Sequence, residues 1–194
     1  RFDTARLKLF ATQQNSSPVR KQCHFNKDVP STDQYCILGS SQQPKTIVWG
    51  DSHGAELGYA LSLYTSLYSV TYSSCSPSIL YDFPPQPHCK DHNKQVFDFI
   101  IHNKNIQNVI ITARYDNKAA EELIKYKANL DDQIQILHAN GKHIIIMNEI
   151  PTPYFNIPQH LAKTKDLNET FTYRPKVFQH FKLPSYTTVV KYED

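Results

Sequence analysis

The fold is decided by residues 46–58, which read TIVWGDSHGAELG. The first four of these residues are β-branched or aromatic, and that composition predicts a short buried strand. Gly50 permits a sharp backbone turn, and Asp51 and Ser52 are residue types that cap helices. Residues 55–63 then predict a helix. A strand, a turn and a helix therefore meet at Ser52.

This arrangement predicts that Ser52 lies at the carboxyl edge of a sheet and at the positive end of a helix dipole, where open α/β sheets bind ligands. Such a position suits a nucleophile whose developing oxyanion is held by backbone N–H groups. Taken alone, a Gly-Asp-Ser turn that opens a helix is as consistent with an ordinary turn and cap. The predicted strand and helix around it favour the nucleophile.

Two segments resemble one protein family. Residues 49–53, WGDSH, resemble the first sequence block of the SGNH (GDSL-type) hydrolase superfamily. Together with residues 35–39, YCILG, they resemble one branch of it, the extracytoplasmic SGNH domain fused to bacterial acyltransferase-3 membrane proteins that O-acetylate surface glycans. The resemblance begins at about residue 23. Residues 1–22 are therefore interpreted as a linker or N-terminal extension, and residues 23–194 as an SGNH-like domain.

Composition limits the class of protein. A length of 194 residues fits one domain with a sizeable core. The net charge of +3 is too small to indicate nucleic-acid binding. The sequence contains no run of eighteen apolar residues, as a membrane-spanning helix requires, and no visible signal peptide. Export would therefore have to be directed by sequence outside this chain.

The four cysteines fall into two close pairs, Cys23 with Cys36 and Cys75 with Cys89. Three connectivities are possible, and local pairing is the simplest of them. We predict these two local disulfides, with free buried thiols as the alternative. Neither pair has the ligand spacing of a structural zinc module, and no metal or cofactor is expected in this domain. Disulfides indicate an oxidising compartment such as the periplasm.

Apolar runs and helical periodicity predict the remaining elements. Strands are predicted at residues 46–49, 69–72, 108–112, 143–147 and 187–192. Further helices are predicted at residues 4–12, 93–102 and 118–140. Residues 23–45 are polar and turn-rich and residues 76–88 are proline-rich, so the core is expected to start at Thr46. Because strands alternate with helices, we predict an α/β fold, a three-layer α/β/α sandwich with a parallel sheet. The resemblance implies a flavodoxin-like sheet of five strands.

The resemblance also implies an oxyanion hole formed by the serine N–H, a glycine after the second core strand and an asparagine after the third. The second position here reads Ser73–Ser74–Cys75, with no glycine. The Ser74 amide could still donate, and the alternative is that Ser74 is only a loop residue. The third reads Ala113–Arg114–Tyr115–Asp116, so the asparagine is missing. Arg114 could bind an acyl or glycan oxygen, or it could form a salt bridge with Asp116.

Asp51 and His53 are further candidates for oxyanion or substrate contacts. His53 adjoins Ser52, but neighbouring side chains of a helix point in different directions, so it is not expected to act as the base. In the family, the base is a histidine of a late Asp-x-x-His motif. No histidine of this chain has an acidic residue three positions before it. We expect that motif to lie beyond Asp194, with degeneration to a pseudoenzyme as the alternative.

The favoured hypothesis is an O-acetyltransferase in which Ser52 passes an acetyl group to hydroxyls of a bacterial surface glycan. The expected partners are that glycan and an upstream acyltransferase-3 membrane domain that supplies the acetyl group. The domain would then be periplasmic and tethered to the inner membrane, and the isolated chain nearly inactive. A carbohydrate acetyl esterase and a glycan-binding module without chemistry remain alternatives.

Overall fold

The computed structural model describes residues 3–80, 86–115, 119–148, 150, 152–164 and 182–191. The strands are β1 (His24–Phe25), β2 (Cys36–Leu38), β3 (Thr46–Gly50), β4 (Leu67–Tyr72), β5 (Asn108–Thr112), β6 (His143–Met147) and β7 (Thr188–Val190). The helices are α1 (Thr4–Ala11), α2 (Arg20–Cys23), α3 (Ser52–Ser62), α4 (Cys89–His102), α5 (Ala120–Ala139) and α6 (Ile157–Lys163). Single 3-10 turns occur at Thr12–Gln14 and Thr32–Gln34.

Within these ranges, seven strands form one sheet with the order β1-β4-β3-β5-β6-β7, and β2 also pairs with β4. Every pairing is parallel except that of β2 with β4. The predicted parallel α/β sheet is therefore confirmed. The flavodoxin-like expectation of five strands is extended by β1 and β2, which lie at the outer edge of β4.

Helices cover both faces of the sheet, as the predicted three-layer sandwich requires. On one face, Trp49 and Ile111 pack in a large core with Ile100 of α4 and Leu130 of α5. On the other face, Val48 and the apolar residues beside it pack against Leu57 and Leu61 of α3. Successive residues of β3 thus point to opposite layers, because side chains alternate along a strand. The central residues of β3, Ile47 to Trp49, are consequently all apolar and buried.

The expectation that the core starts at Thr46 was wrong. The β1 strand pairs His24 with Thr71, and β2 pairs Cys36 with Ser69. Two or three residues are too short to carry a hydrophobic period, so these strands gave no signal in the sequence. They cover an edge of β4 that would otherwise expose unpaired backbone groups.

Both predicted disulfides are confirmed. Cys23 is bonded to Cys36 with the Cα atoms 5.5 Å apart, and Cys75 to Cys89 with the Cα atoms 5.3 Å apart. The first bridge joins the end of α2 to the start of β2, and so it holds both short edge strands beside β4. The second bridge fixes the first residue of α4 to the loop after β4. Such bridges are typical of proteins outside the reducing cytosol.

Element boundaries differ from the prediction mostly at the amino ends. The helix predicted from residue 55 begins at Ser52, and the helix predicted from residue 93 begins at Cys89. The strand predicted at 69–72 begins at Leu67. The first turns of α3 and α4 and the first residues of β4 are polar or directly follow loops. They therefore lack the periodic apolar pattern on which the prediction depended. The last predicted strand is β7, and residues 192–194 lie outside the described part of the chain.

The amino-terminal segment packs against the domain. The α1 helix contacts α6, and the Gln159 side chain donates a hydrogen bond to Gln13 Oε1 at 2.8 Å. Asn156 caps α6 by accepting from the Gln159 amide. Our interpretation of residues 1–22 as a linker or extension stays a prediction, but described residues of this segment have fixed partners in the fold.

Candidate active site

Three turns open at the same edge of the sheet. The register places Gly50 at the end of β3 beside Thr71 of β4 and Thr112 of β5. Since these strands are parallel, the residues that follow each of them lie at one carboxyl edge. That edge brings the Ser52 turn, the Ser74 turn and the Arg114 turn together, as the sequence predicted.

Asp51 is a buried carboxylate that joins two of these turns. It caps α3, and its Oδ1 accepts the His53 N–H at 2.8 Å. Its Oδ2 accepts the Arg114 N–H at 2.7 Å. Both oxygens are therefore used for structure, and Asp51 fixes the start of α3 against the turn that follows β5. Asp51 thus positions these two turns relative to each other.

Ser52 is the first residue of α3, and the cap is supplied by Asp51. The side chain is half-buried. Within the described ranges, neither the Ser52 hydroxyl nor its N–H makes a hydrogen bond. A helix leaves its first N–H groups without intrahelical partners, so this amide is a free donor beside a free hydroxyl. The cap of this helix is thus the Asp51 side chain, and the Ser52 hydroxyl does not serve as the cap.

Gly50 is required by close packing. A Cβ atom at this position would lie 2.3 Å from the Thr112 carbonyl oxygen of β5, a contact that real structures essentially never show. A Cβ at Gly54 would lie 3.1 Å from the Thr71 Cγ2 atom. The two glycines let the first turn of α3 approach the sheet closely. Ser52 is held near the strand ends for that reason.

Ser74 adopts a backbone conformation that favours glycine. Its φ is 55°, in the left-handed region. The resemblance implied a glycine at this turn, and the serine here keeps the same kind of turn. The Ser73 amide donates to the Phe25 carbonyl and the Cys75 amide donates to the Tyr72 carbonyl. The Ser74 amide between them has no acceptor in the described part of the chain, and the residue is exposed.

His53 and Arg114 flank the serine without bonding to its hydroxyl. His53 Nδ1 is buried and has no hydrogen-bond partner among the residues described. The Arg114 side chain is half-buried, and its backbone belongs to the Asp51 contact. The alternative partner of Arg114, Asp116, lies outside the described residues. The expectation that His53 does not act as the base on Ser52 stays a prediction.

Two charged residues at the site were missed from the sequence. Arg20 Nη1 donates to the Ser52 carbonyl at 3.3 Å and to Glu56 Oε1 at 2.5 Å. Glu56 lies one turn after Ser52 on α3, and its Oε2 accepts the Ser17 N–H at 2.7 Å. Pairings across more than thirty residues leave no local pattern. Nothing in the sequence marked Arg20, which stood in the predicted linker.

His24 is a second histidine at this edge. Its Nδ1 lies 2.9 Å from Thr71 Oγ1, and its Nε2 is buried with no partner in the described ranges. The pKa of His24 is lowered to about 4, mainly because the imidazole is buried and also because the Arg20 charge is near, while the Glu56 charge opposes the shift. The imidazole is thus neutral at neutral pH. No hydrogen bond joins it to Ser52 among the described residues.

Among the described residues, no group of three histidine, cysteine or acidic side chains stands close enough together to hold a metal ion. Within the same ranges, no helix combines the length and the apolarity needed to cross a bilayer.

The protein is a parallel α/β/α sandwich with a serine at the turn between a central strand and the helix that follows it. The sequence model of the family described as "SGNH domain (fused to AT3 domains)" matches residues 22–187. The chain belongs to this family, as the WGDSH and YCILG segments indicated.

A solved structure with the same fold is the periplasmic domain of a lipopolysaccharide acetyltransferase from Salmonella ser. Paratyphi A. The two chains are 16% identical, and the superposition covers 97% of this chain and 79% of the other with a TM-score of 0.69. No curated protein matches this chain.

Proposed function

We propose that this chain is an O-acetyltransferase domain in which Ser52 accepts an acetyl group and passes it to a hydroxyl of a bacterial surface glycan. The observation that carries the proposal is the pair of unengaged groups at Ser52, the hydroxyl and the backbone N–H, at the amino end of α3. The family assignment and the Salmonella lipopolysaccharide acetyltransferase domain support it.

In the first step, Ser52 Oγ attacks the carbonyl carbon of the acetyl donor. The new bond is the serine ester, the bond to the donor's leaving group breaks, and the serine proton ends on that leaving group. The negative charge that develops on the carbonyl oxygen needs donors that are already oriented. The amides of Ser52 and Ser74 are the two donors that we assign to it, since both lie at the same edge without acceptors in the described residues.

In the second step, a sugar hydroxyl attacks the acetyl-serine. The sugar ester forms, the serine ester breaks, and the proton of the sugar hydroxyl returns to Ser52. A covalent intermediate divides one difficult transfer into two easier ones. Arg114 stands beside the serine turn, where its guanidinium can bind an oxygen of the acyl group or of the sugar.

The proposal leaves the general base unassigned. Within the described part of the chain, no imidazole accepts a hydrogen bond from Ser52 Oγ, and a neutral hydroxyl is a poor nucleophile. General-base catalysis typically contributes about a hundredfold to ten-thousandfold. We therefore expect slow acetylation of Ser52 in this chain.

The proposed acetyl source is an acyltransferase-3 membrane domain, which the description of the family names as the fusion partner. The proposed location is extracytoplasmic, tethered to the inner membrane through that domain. The two disulfides support the location. The proposal includes no cofactor, no metal and no nucleic acid.

A second candidate is a glycan-binding module without chemistry of its own. The observation that favours it is the absence of an imidazole on Ser52 Oγ among the described residues. An acetyl esterase uses the same serine ester with water as acceptor, so it differs from the transferase only in the second step.

The test supplies the chain with a chromogenic acetyl ester, with and without a bacterial oligosaccharide as acceptor. Acetylated sugar and free acetate are measured by mass spectrometry for the wild type and for Ser52→Ala. The transferase predicts acetylated sugar that is lost in Ser52→Ala. Free acetate without acetylated sugar favours the esterase. Oligosaccharide binding that is equal in both forms, without either product, favours the module.

A further inference from the structure

The carbonyl of Ser52 is held by a side chain from outside its own helix. Arg20 stands in the short helix α2, 32 residues before the serine. Its Nη1 atom donates to both the Ser52 carbonyl and the Glu56 carboxylate. These acceptors lie four residues apart on α3, so they share one face of its first turn. One guanidinium nitrogen therefore contacts two acceptors at the beginning of the helix.

The Glu56 carboxylate holds the amino-terminal segment at two points. Its Oε1 faces Arg20 and its Oε2 accepts the Ser17 amide. The two side chains are partly exposed, 31% for Arg20 and 42% for Glu56. An ion pair with that exposure adds little to overall stability. Its effect is thus on local geometry, since it decides where the first turn of α3 sits relative to residues 17–20.

The peptide groups on both sides of Ser52 have partners. In the peptide that follows Ser52, the His53 N–H donates to Asp51 and the Ser52 carbonyl accepts from Arg20. In the peptide that precedes Ser52, the Asp51 carbonyl accepts the Ala55 N–H. The direction of the Ser52 Oγ and N–H follows from these two peptide planes. Catalytic geometry tolerates displacements of only about 0.5 Å, and a displacement of about 1 Å can reduce a rate by a hundredfold.

We propose that Arg20 is a positioning residue for the reaction at Ser52, and that the amino-terminal segment thereby forms part of the active site. The proposal rests on the assignment of Ser52 as the nucleophile. Arg20 acts through the Ser52 peptide and Glu56, without touching the acetyl group. The guanidinium suits this role because it has several donors in a rigid plane, whereas a lysine ammonium is a single flexible point charge.

The experiment compares the full chain with Arg20→Ala, Arg20→Lys and the control Arg6→Ala. Arg6 forms an ion pair with Asp3 at the start of α1, so the control removes an arginine from the same segment. The first measurement is amide hydrogen exchange in α3 and at Ser17. The second is the rate of Ser52 acetylation by an acetyl ester, resolved into kcat and KM and scaled to the folded fraction.

For Arg20→Ala we expect exchange at Ser17 and in the first turn of α3 to rise at least tenfold. We expect kcat to fall by about tenfold to a hundredfold, with KM changed less than twofold. Arg20→Lys should recover part of kcat, since the ammonium keeps the positive charge but lacks the rigid plane that orients the guanidinium donors. Arg6→Ala should match the wild type in both measurements.

Unchanged exchange in Arg20→Ala would overturn the inference, and so would a change confined to KM. The exchange measurement tests whether Arg20 fixes the Ser52 peptide, and it does so whether or not the serine becomes acetylated. If the wild-type chain takes up no acetyl group on Ser52, the proposed function is contradicted. Raised exchange in Arg20→Ala would in that case still support the structural role of Arg20 at the Ser52 peptide.

Discussion

Asp51 and Ser52 divide two tasks between adjacent residues. The carboxylate of Asp51 satisfies the His53 and Arg114 amides, while the Ser52 hydroxyl stays unengaged among the described residues. If a serine capped the helix itself, its hydroxyl oxygen would accept a hydrogen bond from a backbone N–H of the first turn. The division therefore lets one turn both start a helix and present a hydroxyl at its amino end.

Asp51→Ala is expected to lower the free energy of unfolding by about 2–4 kcal/mol, because a helix cap and the acceptor of a second amide are lost together. Asp51→Asn keeps one acceptor oxygen and should cost about half as much. Urea unfolding measures both variants. Asp3 caps α1 at an exposed site, so Asp3→Ala is the control and should cost about 1 kcal/mol or less. Equal losses for Asp51→Ala and Asp3→Ala would contradict the linking role of Asp51.

His92 makes stability depend on pH. Its side chain is fully buried against the Tyr72 ring, and burial lowers its pKa to about 3, with a smaller contribution from the His24 charge. The unfolded chain binds a proton near pH 6.5 and the folded chain does not. The contribution of neutral His92 to the free energy of unfolding is therefore fully present above about pH 6.5, and it falls as the pH drops towards 3.

Replacing this imidazole with a neutral ring should reduce that dependence. Neither nitrogen of His92 has a partner in the described residues, so His92→Phe loses no hydrogen bond there. Between pH 7 and pH 5 the wild type should lose about 1–2 kcal/mol more stability than His92→Phe. Urea unfolding at both pH values gives the comparison. An identical loss in the two proteins would mean that His92 is protonated in the folded state.

At the scale of elements, the sequence predicted the strands that are continuous apolar runs and the helices with a long apolar period. The β5 and β6 strands were predicted with their observed bounds, because residues 108–112 and 143–147 are apolar runs of the kind buried on both faces. Five residues of α5 repeat at three and four positions, and all five are buried, namely Leu123, Tyr126, Leu130, Ile134 and Leu137.

Other elements depend on contacts that no local pattern records. The β1 and β2 strands form because β4 offers a free edge and a disulfide holds them there. The same limit applies to the site. Ser52 was located by a motif of adjacent residues, whereas the pairing of Arg20 with Glu56 joins distant charges that could each have faced solvent.

The first turn of α3 depends on its close approach to β5. Gly50→Ala would place a Cβ atom 2.3 Å from the Thr112 carbonyl oxygen, and neither strand can move without disturbing the sheet pairing. We expect a loss of about 1–3 kcal/mol in urea unfolding. Gly141→Ala is the control, since a Cβ there meets nothing within 4 Å and only its positive φ is unfavourable, at about 1 kcal/mol. A smaller loss for Gly50→Ala than for this control would contradict the packing argument.

At the scale of the whole molecule, the disulfides replace a hydrophobic contribution that the loops lack. Residues 26–34 between the first pair are mostly exposed, and β1 and β2 together contain few residues. Besides the bridge, this edge is held on β4 by the short strand pairings, by the buried Tyr35 side chain and by the hydrogen bond from the Tyr72 hydroxyl to the Lys27 carbonyl.

Removing the bridge between Cys23 and Cys36 with alanine at both positions should lower the free energy of unfolding by about 3 kcal/mol, as expected for a loop of this length. The bridge between Cys75 and Cys89 closes a loop of nearly the same length, so its removal should cost a similar amount. Denaturant unfolding under oxidising conditions measures both. Stability unchanged by either removal would show that the loop is held by other contacts.

The fold places Ser52, the proposed nucleophile, at the amino end of α3, and acetylation of this serine tests the proposal most directly. The chain is incubated with an acetyl ester, quenched with acid and digested, and the peptides are mapped by mass spectrometry. We predict an added acetyl group on Ser52 in the wild type and in Ser62→Ala, a control at the other end of the same helix, and none on that peptide in Ser52→Ala. An acetyl group on another residue of the wild type, with Ser52 unmodified, would contradict the account.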